Sequence, residues 1–153
     1  MPDSGALAAF LLRAKRATYA AQGDDATTTP LIPGSRQLEY REGERLYRDV
    51  YVGLTAFAGL ETVDDAGAPC WAMTYAGGLV APADFGAVYA FLRQALQRGE
   101  LEAPYRGPAR HAQDEWIYTN AWDGSLDRFA GAETVERAGV VLYRLRYAGG
   151  RVR

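Results

Sequence analysis

The sequence predicts a single α+β domain over residues 1–153, built as a pseudo-two-fold duplication of one helix plus a three-stranded antiparallel meander. Two helices would pack on one large antiparallel sheet of six or seven strands. Three observations lead there. Residues 57–80 and 129–152 agree at 13 of 24 positions at a constant spacing of 72. Each segment breaks into short β-patterned runs separated by turn residues. An amphipathic stretch of helical period precedes each meander. Two copies are too few for a solenoid, so the internal repeats, about 4–80 and 82–152, belong to one domain.

The first helix is expected over 4–21, with Leu7, Phe10, Leu11, Ala14 and Thr18 on one stripe. Residues 22–35, rich in Asp, Thr, Pro and Gly, read as a mobile surface loop. A strand at 37–41 pairs with the first meander strand through a tight Glu42-Gly43 turn, and nothing in the second half matches it clearly. The meander strands are 44–52, 56–63 and 69–76, closed by Gly77-Gly78. The second helix, 82–98, aligns Phe85, Val88, Phe91, Leu92, Ala95 and Leu96, and 101–113 is the second connector. The second meander follows at 115–122, 128–135 and 140–148, closed by Gly149-Gly150. Upstream of the 24-residue match the spacing is 71: Tyr47 and Gly53 recur as Tyr118 and Gly124, while Asp49 and Tyr51 become Asn120 and Trp122.

Composition excludes several functions. Seventeen basic residues against 19 acidic ones give a net charge of −2, so no basic nucleic-acid footprint is present. A lone Cys70 rules out an internal disulfide. A lone His111, expected in water within a charged connector, argues against a histidine metal site. No cofactor is implied, since Gly77-Gly78 lacks the Lys-Ser/Thr of a phosphate loop. No apolar run approaches the ~18 residues of a membrane span. The start, Met-Pro-Asp-Ser, lacks a signal-peptide pattern. A soluble cytoplasmic setting away from membranes is the expectation.

Alternation along the strands selects candidate site residues. In the last strand Arg144 and Arg146 face solvent, which turns Tyr143, Leu145 and Tyr147 inward; repeat symmetry then turns Trp71, Met73 and Tyr75 inward. In the middle strands Phe57, Gly59, Glu61 and Val63 share a face, as do Phe129, Gly131, Glu133 and Val135. If the phenylalanines point inward, so do both glutamates, and an inward carboxylate needs hydrogen bonds or a cation. The glycines open space beside them. Two alternatives stand against this. Bulges at Gly59 and Gly131 would flip the alternation and return both glutamates to water, or the glutamates serve structure alone. Tyr and Trp suit both a core and a half-wet pocket wall. Arg106, in Pro104-Tyr105-Arg106-Gly107-Pro108, is a cation able to pair a carboxylate.

The pattern Leu38-x-Tyr40-x-x-Gly43-x-x-x-Tyr47-x-Asp49-x-Tyr51-x-Gly53, followed by Phe57-x-Gly59-x-Glu61-x-Val63 and Pro69-x-Trp71-x-Met73-x-Tyr75-x-Gly77, resembles an uncharacterised bacterial domain family of unknown function. The resemblance spans about residues 7–152 and includes Tyr105-Arg106-Gly107-Pro108 and the Phe129-x-Gly131-x-Glu133 copy. Members occur alone or fused behind helix-turn-helix regulator domains, which implies sensing or ligand binding; this chain resembles the stand-alone form. Thr74 departs from the asparagine of the pattern, and the family supplies no catalytic residues. The architecture is also similar in kind to the pseudo-two-fold drug-binding effector domains of bacterial regulators, some of which hold cations with a buried glutamate among rings.

The expected function is a small-molecule binding or sensing module with its site between the repeats. Glu61, Glu133, Trp71, Tyr75, Tyr143, Tyr147 and Arg106 are the candidate ligand-binding residues, and the ligand would be aromatic or cationic. A protein–protein interaction module is the alternative. A small hydrolase or isomerase using a buried glutamate as general base is the third reading.

Overall fold

The computed structural model describes residues 3–22 and 27–153. In chain order its elements are α1 (Ser4–Ala17), α2 (Tyr19–Gln22), β1 (Thr27–Thr28), β2 (Arg36–Glu42), β3 (Arg45–Gly53), β4 (Ala56–Asp65) and β5 (Ala68–Leu79). These are followed by α3 (Phe85–Leu96), β6 (Arg110–Gln113), β7 (Trp116–Ser125), β8 (Arg128–Arg137) and β9 (Val140–Arg151). The class is α+β. Among the described residues the strands form one antiparallel sheet of nine, not six or seven, in the order β1-β2-β3-β4-β5-β9-β8-β7-β6.

The two meanders carry matching registers. Asp49 lies opposite Glu61 as Asn120 lies opposite Glu133, and Gly59 lies opposite Tyr75 as Gly131 lies opposite Tyr147. The two halves join along β5 and β9, where Tyr75 faces Tyr147. Register shifts occur between Val63 and Asp64 and between Val135 and Glu136. Both lie beyond the glutamates, so Gly59 and Gly131 are not bulges and the expected alternation holds.

Asp3 and Asp84 cap the long helices, each accepting a first-turn amide, Ala6 N at 3.2 Å and Gly86 N at 3.0 Å. Leu7, Phe10, Leu11 and Ala14 from α1 and Val88, Phe91, Leu92, Ala95 and Leu96 from α3 join the core formed by one face of the sheet. The opposite face carries mainly small and polar side chains, with Ala58, Thr74, Ala76, Ala130, Ala132, Arg144, Arg146 and Ala148 exposed, together with Val52 and Leu60. Trp71, Tyr118 and Tyr143 are wholly buried, each such aromatic contributing a few kcal/mol of apolar burial (~1.5–3).

Several expectations are corrected. The first helix ends at Ala17 rather than residue 21, because the Thr18 hydroxyl donates to the Ala14 carbonyl at 2.8 Å and the backbone breaks there. The chain then re-enters a short turn of helix at Tyr19. The segment 22–35 carries the strand β1, and the mobility expected of it rests partly on residues 23–26, outside the described residues. Gly77-Gly78 and Gly149-Gly150 lie inside β5 and β9 instead of ending them. A Cβ on Gly77 would strike the Arg144 carbonyl, and one on Gly149 the Ala72 carbonyl, so these glycines permit close strand approach. The second half does have a counterpart to the 37–41 strand: β6 puts His111 opposite Tyr118 as β2 puts Tyr40 opposite Tyr47. Arg-His-Ala-Gln has no β-branched residue and no Phe, Tyr or Trp to signal a strand. His111 is half-buried rather than fully in water. Its ring stacks on Phe91 at 5.4 Å with Nε2 buried, and its pKa is lowered by burial and by Arg98.

Candidate ligand-binding site

The inward face of the sheet carries two linked polar clusters, one per meander. In the second, Glu133 is fully buried and saturated with donors. Arg106 donates to it through Nε (3.1 Å) and Nη2 (2.5 Å), Tyr118 through its hydroxyl at 2.5 Å, and Tyr143 at 2.8 Å. Burial, with the Glu133 charge, pushes the Tyr118 and Tyr143 phenols well above their ordinary range. Tyr147 lies across Gly131, where a Cβ would collide with its ring, and donates to Asn120 Oδ1 at 2.8 Å.

The first cluster repeats this plan with other charges. Glu61 is buried and accepts from Lys15 Nζ at 2.5 Å. Burial lowers the Lys15 pKa, and the Glu61 charge offsets part of that. The Tyr47 phenol, at the place of Tyr118, is pushed well up by burial and by Glu61. Tyr75 lies across Gly59 and donates to Asp49 Oδ1 at 2.5 Å. Asp49 stands where the second half has Asn120. The second cluster therefore pairs one carboxylate with one cation, while the first sets Asp49 and Glu61 against Lys15, which bonds Glu61, with the Arg106 charge acting on Asp49 from the other cluster. The Asp49 carboxyl is raised to about 7 by burial and by the Glu61 charge, against the Tyr75 hydrogen bond, Lys15 and Arg106.

The connector between α3 and β6 joins the clusters. Residues 103–108 are buried, and no surface loop runs there. The Tyr105 carbonyl accepts from Lys15 at 2.6 Å. The Gly107 amide donates to the Tyr118 hydroxyl, and its carbonyl accepts from Asn120 Nδ2, both at 2.9 Å.

A cavity of about 200 Å³ opens over the first cluster. Its floor is Asp49, Tyr51, Phe57 and Tyr75; α2 and α3 wall it with Tyr19, Phe85, Tyr89, Leu92 and Arg93, and Arg106 closes one side. The Tyr89 hydroxyl donates to the Leu54 carbonyl at 2.5 Å and fixes one wall. The Arg93 guanidinium sits over the Tyr19 ring at 5.9 Å. The Tyr51 hydroxyl is buried and has no hydrogen-bond partner among the described residues. Buried polar groups are rarely left unpaired.

Of the residues singled out from the sequence, Tyr75 and Arg106 line this cavity. Glu61 lies one layer away, against a smaller cavity of about 20 Å³ shared with Lys15, Tyr47 and Tyr105. Trp71, Tyr143, Tyr147 and Glu133 do not line it. Trp71 stacks on Phe129 at 5.8 Å and Tyr143 supports Phe57 at 6.3 Å. Asp49, Tyr51, Phe57 and Tyr89 were missed. The signal for Asp49 was present: it alternates inward between Tyr47 and Tyr51, and the second meander carries a neutral isostere, Asn120, at the matching register.

Among the described residues no helix is long and apolar enough to cross a membrane. Neither a curated protein nor a solved structure matches the chain. A family model does, over residues 49–152, which include both polar clusters except Lys15 and Tyr47. The chain thus belongs to the family described as a domain of unknown function, DUF5680.

Proposed function

We propose that the protein is a small-molecule binding or sensing module whose cavity takes an aromatic ligand bearing a positive charge. The observation that carries this is the surplus carboxylate. Among the described residues Asp49 is the carboxylate of the buried network with no ion pair of its own, and it is the carboxylate that faces the cavity. A bound cation would complete the charge balance that Asn120 gives the other half. Phe57, Tyr75, Tyr89 and Tyr51 supply apolar area and ring faces, with cation–π attraction of roughly 0.5–2 kcal/mol per well-placed ring. Arg93 and Arg106 favour a second reading, a ring carrying a carboxylate, since both line the same space.

The test is a thermal-shift screen of cationic, neutral and anionic aromatic compounds against wild type and Asp49→Asn. Asn is accommodated at the equivalent place in the second half, so the variant keeps the Tyr75 hydrogen bond and loses only charge. Ring-bearing cations are expected to stabilise wild type. Their affinity should fall ~30-fold or more in Asp49→Asn, the cost of removing one partner of a buried charge pair. Stabilisation by anions alone would select the second reading. Stabilisation by nothing would favour the protein–protein interaction module.

A further inference from the structure

We infer that the Tyr105–Gly107 plug of the second half is a built-in counterpart of the ligand, and that the cavity of the first half takes an arylalkylamine with its ring on Phe57 and its ammonium at Asp49. This rests on the reading that the cavity holds a small molecule.

The plug occupies the second half where the cavity occupies the first. The Tyr105 ring stacks on Phe129 at 3.8 Å and 12°, and lies 6.4 Å from Tyr147. The Gly107 carbonyl accepts from Asn120. Phe129, Tyr147 and Asn120 are the register equivalents of Phe57, Tyr75 and Asp49, and all three of those line the cavity.

The surroundings of the two phenylalanines agree elsewhere. Phe57 stacks on Tyr143 at 6.3 Å and 22°, as Phe129 stacks on Trp71 at 5.8 Å and 18°. Phe57 lies 6.0 Å from Tyr75, as Phe129 lies 6.2 Å from Tyr147. Among the described residues the difference is the second stacked ring. Phe129 has Tyr105, whereas Phe57 has Tyr89 edge-on at 6.1 Å and remains half-buried.

Strand pairing explains why one half is plugged. β2 stays paired with β3 as far as Arg36, opposite Tyr51. β6 begins at Arg110, opposite Thr119, with the Ala109 carbonyl still accepting from the Asn120 amide, and residues 103–108 run beneath the sheet instead. The plug's chemistry then sets that of the ligand. Asn120 donates to a carbonyl, but an ionised Asp49 only accepts. Where the plug presents an acceptor, the ligand must present a donor, and a cationic donor answers the surplus charge.

The probes are phenylalkylamines with one to four methylenes and the matching neutral phenylalkanamides, titrated calorimetrically at pH 8 into wild type and Asp49→Asn. Wild type is expected to prefer the best amine over its amide by about tenfold or more, since the amide leaves the charge buried and unanswered. Asp49→Asn should lose or reverse that preference, because its Nδ2 can serve an amide carbonyl as Asn120 serves Gly107. An amide preference in wild type, or the same amine preference in both proteins, overturns the inference. Failure of every phenylalkylamine while other ring-bearing cations bind through Asp49 also overturns it and leaves the cavity reading intact. Failure of all cations removes both.

Discussion

Replacing Arg106 by Met is expected to cost about 3–5 kcal/mol of stability at neutral pH, the usual penalty for stranding one partner of a buried ion pair. For a chain of this size that is a fall of roughly 6–20 °C in melting temperature. Arg106 provides two of the four hydrogen bonds to Glu133, and both side chains are almost completely buried. Met preserves much of the apolar stem, so the loss isolates the charge. The exposed Arg13–Glu42 pair has a contact of 2.7 Å, against 2.5 Å for Arg106–Glu133, but both of its partners are more than 40% exposed, 48% and 43%. Solvent screening limits pairs of that kind to about 1 kcal/mol or less. Adding Glu133→Gln to Arg106→Met should recover much of the stability, since a neutral amide no longer needs the cation. Urea denaturation of the single and double variants checks this. A single-variant loss below about 1 kcal/mol would show that Glu133 is not held as an ion pair.

The affinity for a ring-bearing ammonium is expected to rise about tenfold between pH 6 and pH 8, as the ionised fraction of a group titrating near 7 grows from about a tenth to about nine tenths. Asp49 has the raised pKa, about 7 against an ordinary 3.8. The folded protein therefore keeps a proton that the unfolded chain sheds above about pH 4. Stability from this group is full below pH 4 and is lost as pH climbs through 7. Cation binding runs the other way, because it needs the carboxylate. The groups acting on Asp49 are Glu61 from β4, Tyr75 from β5, Lys15 from α1 and Arg106 from the connector. Tyr19 and Tyr51 share the cavity with it. Affinities measured across this range with an amine that stays charged throughout should show the rise in wild type and a flat profile in Asp49→Asn.

Much of this architecture was legible in the sequence, because strand alternation is a local signal and the 72-residue spacing of the matching segments is read directly from the chain. They located both meanders, put Glu61 and Glu133 on the inward face and made Arg106 a partner for a carboxylate. The cavity was not legible, because it depends on how distant elements dock. Lys15 meets Glu61 across 46 residues of sequence, and nothing in the helix stripe distinguishes it from Arg13 or Arg16, which lie more exposed. Tyr19 reaches the cavity only because the helix breaks at Thr18. Tyr105 is a core residue because its connector runs beneath the sheet, which composition alone presents as a Pro- and Gly-rich loop. The sequence emphasis on Glu61 and Glu133 followed what the two meanders share. The cavity lies where they differ, at Asp49 against Asn120 and at a plug found in one half.

Proton release on binding tests the charge at Asp49 most directly. Calorimetric titration of a phenylalkylamine at pH 7, repeated in buffers of different ionisation enthalpy, gives the number of protons set free per molecule bound. A cation that binds only the carboxylate form should release about half a proton at this pH from a group titrating near 7. Asp49→Asn should release close to none. Binding without proton release in wild type, or with equal release from Asp49→Asn, would contradict the assignment of Asp49 as the carboxylate that receives the ligand's charge.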